Sequence, residues 1–78
     1  MTARVLYFAS LRDDAGRAEE AVPAGGTLAA LYARLRERHG LRWSQAQLRV
    51  AVDGAFAAWD DPVPPGAEVA FIPPVSGG

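Results

Sequence analysis

Three features of the 78-residue sequence predict an α+β fold in which a mixed β-sheet packs on one main helix. One stretch, residues 27–40, carries helical periodicity, whereas the segments on either side are β-branched and aromatic runs broken by Gly and Pro. The first and last of these runs, Val5-Leu6-Tyr7-Phe8-Ala9 and Val69-Ala70-Phe71-Ile72, are apolar at consecutive positions rather than alternate ones, the pattern of central strands covered on both faces. The helix falls between the second and third strands, so its single apolar stripe is available for one face of the sheet.

In chain order, residues 3–9 form the opening strand. Residues 11–17 are polar and end on Ala15-Gly16, so they read as a turn. Residues 18–22 return as a second strand, making a hairpin that Pro23-Ala24-Gly25-Gly26 ends. Thr27 is placed to cap a helix. Leu28, Leu31, Tyr32 and Leu35 follow at i, i+3, i+4 and i+7, and Gly40 stands where a left-handed residue closes the last turn. Trp43 is expected near the helix exit. Residues 48–52 give a third strand that stops at Asp53-Gly54, a tight-turn pair, and residues 55–59 give a short fourth. Residues 60–66 are a loop stiffened by Pro62, Pro64 and Pro65, and residues 68–72 are the last strand. Pro73 and Pro74 end it, because neither has a backbone N–H for the ladder. This order fits a β-grasp, or ubiquitin-like, fold with its first and last strands adjacent at the centre. The division expected is a domain over residues 1–73 and a protruding C-terminal tail over residues 74–78.

Length and composition narrow the function. A chain this short holds one domain and has no room for an enclosed active site. Its formal charge of −1 and its scattered arginines disfavour nucleic-acid binding; Arg34, Arg36, Arg38 and Arg42 are expected on a solvated helix face. There is no long apolar run and no leader, so no membrane span is expected and the cytoplasm is the default location. With no cysteine, disulfides, thiolate metal sites and thiol nucleophiles are all removed. The lone His39, at the end of the helix, has no second ligand with which to share a metal and reads as structural. No metal site is expected.

The chemistry then has one place to go, the segment Phe71-Ile72-Pro73-Pro74-Val75-Ser76-Gly77-Gly78. Two prolines favour an extended backbone, so the last six residues would project roughly 20 Å, at about 3.1 Å per residue. Gly77 and Gly78 carry no side chain and pass where other residues would not. Such a tip offers only backbone and a carboxylate. Conversion to an acyl-adenylate would give that carboxylate a leaving group, and attack by a sulfur nucleophile would then leave a thiocarboxylate. Ser76-Gly77-Gly78 taken alone is equally expected of a frayed terminus or a linker. The apolar strand running into it, with Val75 carried outward, argues against both.

The same segment resembles the terminal motif of the small subunits of molybdopterin synthase, MoaD-like members of the ThiS/MoaD ubiquitin-like sulfur carriers. Val5-Leu6-Tyr7-Phe8-Ala9-Ser10-Leu11-Arg12 is similar to the family's first strand and following turn. Leu48-Arg49-Val50-Ala51-Val52-Asp53-Gly54 resembles its middle strand, and Pro65-Gly66-Ala67-Glu68-Val69-Ala70 the turn before its last. Many relatives have Asn where Asp53 stands and Asp where Ala67 stands. The resemblance implies that Gly78 is adenylated with ATP by a ubiquitin-activating-type enzyme and then receives sulfur from a sulfurtransferase or persulfide donor. It implies that this sulfur passes to cyclic pyranopterin monophosphate in the large synthase subunit, within a heterotetramer of two small and two large subunits. The chain would bind no cofactor and would be a subunit and cosubstrate, not a catalyst alone. The implied docking residues are Phe8, Phe71 and Ile72, with Val75, Ser76 and Gly77 entering the partner's channel and Arg12 available to an acidic partner residue. Phe8, Phe71 and Ile72 are equally what a buried central strand would use.

Two other readings compete. Carriers of thiamin synthesis and of tRNA thiolation share the Gly-Gly end but change the sulfur acceptor. A noncatalytic β-grasp interaction module, pairing a sheet edge with a partner strand, would not need the last two glycines at all.

Overall fold

The computed structural model describes residues 1–74 and contains one mixed sheet of five strands. In chain order the elements are β1 (Thr2–Tyr7), α1 (Ala9–Ala15), β2 (Glu19–Pro23), α2 (Leu28–His39), a short 3-10 turn (Gln45–Gln47), β3 (Arg49–Val52), β4 (Ala55–Ala57) and β5 (Glu68–Ile72). The sheet order is β2-β1-β5-β3-β4. β1 and β5 run parallel at the centre, with Val5 opposite Val69 and Tyr7 opposite Phe71, and the other pairings are antiparallel. The expected central pair is therefore the observed one.

α2 forms where the periodicity places it. Thr27 Oγ1 accepts the Ala30 N–H at 3.1 Å, and Gly40, at φ 66°, returns its N–H to Arg36 O. The loop after β4 completes the N-terminus: the carbonyls of Asp61 and Trp59 accept the N–H groups of Leu28 and Ala29, two donors that no helical carbonyl can reach. Leu28, Leu31, Tyr32 and Leu35 are buried with Val5, Tyr7, Val50, Val69 and Phe71, so the helix stripe and one sheet face share one core. Tyr32 meets Phe71 edge-on at 5.0 Å, and Trp59 stacks on Phe71 at 5.9 Å. The β3–β4 turn has both central residues at positive φ, Asp53 at 51° and Gly54 at 84°. Asp53 Oδ1 also accepts the Glu68 N–H at 2.9 Å.

Two expectations are corrected. Residues 11–17 are not a turn: Ala9–Ala15 is a helix, with Leu11 fully buried and Gly16 (φ 72°) as its left-handed C-terminal residue. The central strands are not covered on both faces either. Val5, Tyr7, Val69 and Phe71 are buried beneath α2, but Leu6, Ala70 and Ile72 on the opposite parity are only half-buried and Phe8 is 47% exposed. Among the described residues no element of this chain covers that second face.

The open sheet face and the root of the tail

Strand register assembles the open face. Leu6 pairs with Ala70 across β1 and β5, Ala70 with Ala51 across β5 and β3, and Ala51 with Phe56 across β3 and β4. Directly paired residues point to the same side. One apolar row thus crosses four strands, and Phe8 and Ile72 extend it toward the C-terminal end of β5. Together with Glu68 these side chains line a shallow groove of about 310 Å³. Phe56, 70% exposed, is its most open member, and the Arg49 guanidinium lies 5.5 Å from the centre of that ring. Small Ala51 and Ala70 form the floor, so the aromatic rings stand as walls.

A second hollow, about 530 Å³, joins the first at Phe8 and Ile72 and is lined also by Ala9, Ser10, Trp43, Pro73 and Pro74. It sits beyond the C-terminal end of β5, at the last of the described residues. Gly78, Gly77, Ser76 and Val75, the residues expected to carry and present sulfur, lie outside the described residues.

The structure separates the docking candidates. Phe8 and Ile72 lie on the open face. Phe71 does not: its side chain is 0% exposed, held between Tyr32 and Trp59 on the α2 side, and it supplies core rather than contact surface. Strand alternation is the reason, since neighbours on one strand point to opposite faces. Arg12 is exposed on α1 and forms no ion pair among the described residues. Leu6, Ala70 and Phe56 were not singled out by sequence reasoning. Leu6 and Ala70 follow from the parity of Phe8 and Ile72, whereas Phe56 needs the β3–β4 register.

Two carboxylates elsewhere, Asp14 and Glu20, gather the ion pairs among the described residues. Arg42 Nε and Nη2 meet the Asp14 carboxylate at 3.0 and 2.8 Å, and this pairing holds the carboxyl below its usual range. Arg34, Arg36 and Arg38 are exposed on α2 as expected, with Arg38 reaching Glu20 at 3.0 Å and Arg36 Nε donating to Leu41 O, whereas Arg42 is exposed beyond the helix end. Among the described residues no group of three or more His, Cys, Asp or Glu side chains is arranged to hold a metal. No helix among them is long and apolar enough to cross a membrane.

A family model described as the ThiS family matches residues 5–78. The chain belongs to the ThiS family. Within these sulfur carriers, the molybdopterin synthase sulfur carrier subunit of Escherichia coli K12 is 34% identical over 79 residues, covering 96% of this chain and 98% of that protein. SAMP1 from Haloferax volcanii superposes with a TM-score of 0.80 at 25% identity, covering the whole of both chains. A complex of subunits 1 and 2 of the molybdopterin-converting factor from Helicobacter pylori contains a chain of the same fold, with a TM-score of 0.70 at 24% identity over 100% of both chains. The architecture is thus a ThiS-family β-grasp, and the chain is a sulfur carrier of the ThiS/MoaD type.

Proposed function

We propose that this chain is the sulfur-donating small subunit of a molybdopterin synthase, carrying sulfur as a thiocarboxylate on Gly78. The observation that carries the reading is the apolar row from Phe56 to Phe8 and Ile72, which no part of the described chain covers and which runs to the root of the Gly-Gly segment. Exposed apolar surface joined to a functional end marks a docking face. The E. coli relative is named as the sulfur carrier of that synthase, and the H. pylori subunit 1 is described in complex with a subunit 2. The partner proposed here is accordingly the large synthase subunit, in a heterotetramer of two chains of each kind.

The chemistry follows from a terminal carboxylate. A Gly78 oxygen attacks the α-phosphorus of ATP on an activating enzyme of the ubiquitin-activating type, and pyrophosphate leaves. A persulfide sulfur of the donor displaces AMP from the acyl carbon, and a thiol cleaves the resulting S–S bond to leave the thiocarboxylate. In the large subunit this sulfur attacks a side-chain carbon of cyclic pyranopterin monophosphate, and the C–S bond forms as that carbon's C–O bond breaks and the oxygen leaves with the electron pair. Water then cleaves the thioester, returning the carboxylate and leaving sulfur on the pterin. The small subunit contributes a bound, aimed nucleophile, so its share of the rate is positional.

Removal of Gly77 and Gly78 tests the reading. The truncated chain is expected to keep its circular dichroism spectrum and thermal midpoint and to lose molybdopterin formation entirely in a reconstituted synthase. Retained activity would replace sulfur delivery with the interaction-module reading.

A further inference from the structure

Trp43 has no part in the chemistry above, yet it is tied at both of its polar ends. It lies half-buried between α2 and the 3-10 turn, where its indole N–H donates to Ser10 Oγ at 2.8 Å and its carbonyl accepts from the Tyr32 hydroxyl at 2.6 Å. The adjacent Arg42 grips Asp14 through its guanidinium and also donates its backbone N–H to that carboxylate at 3.0 Å. Ser10 and Asp14 stand at i and i+4 on α1, so consecutive loop residues hold one helix face at two points. Leu11 anchors α1 in the core, but its first turn lacks a side-chain cap. Phe8 is the N-cap, and Ala9 sits at φ 50°, a left-handed conformation that alanine disfavours. The indole meanwhile walls the hollow shared by Phe8, Ile72, Pro73 and Pro74.

We infer that Trp43 is a positioning residue for sulfur delivery: through Ser10 it holds the Phe8-Ala9-Ser10 turn against Ile72-Pro73-Pro74 and so fixes where the chain departs from the domain. This rests on the sulfur-carrier reading. Trp43→Phe keeps an aromatic wall and removes the donor, and Ser10→Ala removes the acceptor. Should the Phe variant fail to fold, Ser10→Ala carries the test alone. Each carrier is charged to the thiocarboxylate by an activating enzyme and checked by intact mass. Single-turnover discharge is then followed over a range of large-subunit concentrations.

The expected result for each single variant is a roughly 3- to 10-fold lower rate at saturation, with half-saturation and thermal midpoint unchanged, as for the loss of one orienting hydrogen bond. The double variant should be no slower than either single one, because both remove the same bond. Wild-type rates in the variants, losses that multiply in the double variant, or a loss confined to half-saturation would each overturn the role of Trp43 while leaving the carrier reading intact. A wild-type chain that cannot be charged would defeat the carrier reading, and this role with it.

Discussion

Among the described residues, Glu20 is the side chain with the most polar partners. Its Oε1 accepts the Tyr7 hydroxyl at 2.9 Å and lies 2.8 Å from His39 Nε2, while Oε2 takes Arg38 at 3.0 Å. Burial alone would raise its pKa, but the hydrogen bonds from His39, Tyr7 and Arg38 outweigh burial and hold it below the ordinary value of 4.5. The folded chain therefore binds fewer protons here than the unfolded one. The stabilisation is present above about pH 4.5 and is lost as the pH falls through the lower folded value. Tyr7 acts in the opposite direction: burial, and then its bond to Glu20, raise its pKa well above 10.0, so its contribution is lost as alkali ionises the phenol. Glu20→Gln is expected to cost about 1–2 kcal/mol near neutral pH and to flatten the acid-side decline. Urea midpoints measured from pH 3 to 8 would check both. None of this was legible in the sequence, where Glu20 is one residue of an edge strand and His39 only a helix end; the hairpin register and the length of α2 bring them together.

Elements differ in how far the sequence disclosed them, for identifiable reasons. α2 was readable to the residue because three signals coincide: a side-chain cap at Thr27, an apolar stripe of four residues, and Gly40 in the left-handed closing position. α1 has only the last of these. Its apolar face is Leu11 and the smaller Ala15, its cap is missing, and Gly16 reads as a turn glycine when no stripe precedes it. The helix is held by tertiary contacts that local sequence does not reveal. Since Ala9 is strained at its start, Ala9→Gly should relieve about 1 kcal/mol of left-handed cost against a glycine entropy penalty of about 0.5–1 kcal/mol. The expected outcome is a thermal midpoint equal to or slightly above that of the wild type. A clear fall would show that the Ala9 methyl supports the turn.

For the whole molecule, the informative feature is a sheet with two apolar faces and, among the described residues, one covering layer. The apolar runs of β1 and β5 correctly marked central strands. Sequence cannot tell whether the second cover belongs to the chain or to a partner; among the described residues no element covers the row from Phe56 to Phe8, and the proposed docking gives that cover to a partner. The two faces should respond differently to substitution. Phe56→Asp, at a 70% exposed site, is expected to change stability by about 0.5 kcal/mol or less and to weaken large-subunit binding at least about tenfold. Phe71→Ala should cost about 3–5 kcal/mol of stability, because it empties the space between Tyr32 and Trp59. Isothermal titration and thermal melts on the two variants separate docking from core.

The central claim concerns the end of the chain and is tested there. The chain is produced with its activating enzyme and a sulfur source, and the intact mass is followed by fragmentation of the C-terminal peptide. The account predicts replacement of one oxygen by sulfur, localised to Gly78; localisation matters because oxidation of Met1 changes the mass almost identically. A C-terminus that remains an ordinary carboxylate with every cognate activating enzyme tried would contradict sulfur delivery by this chain.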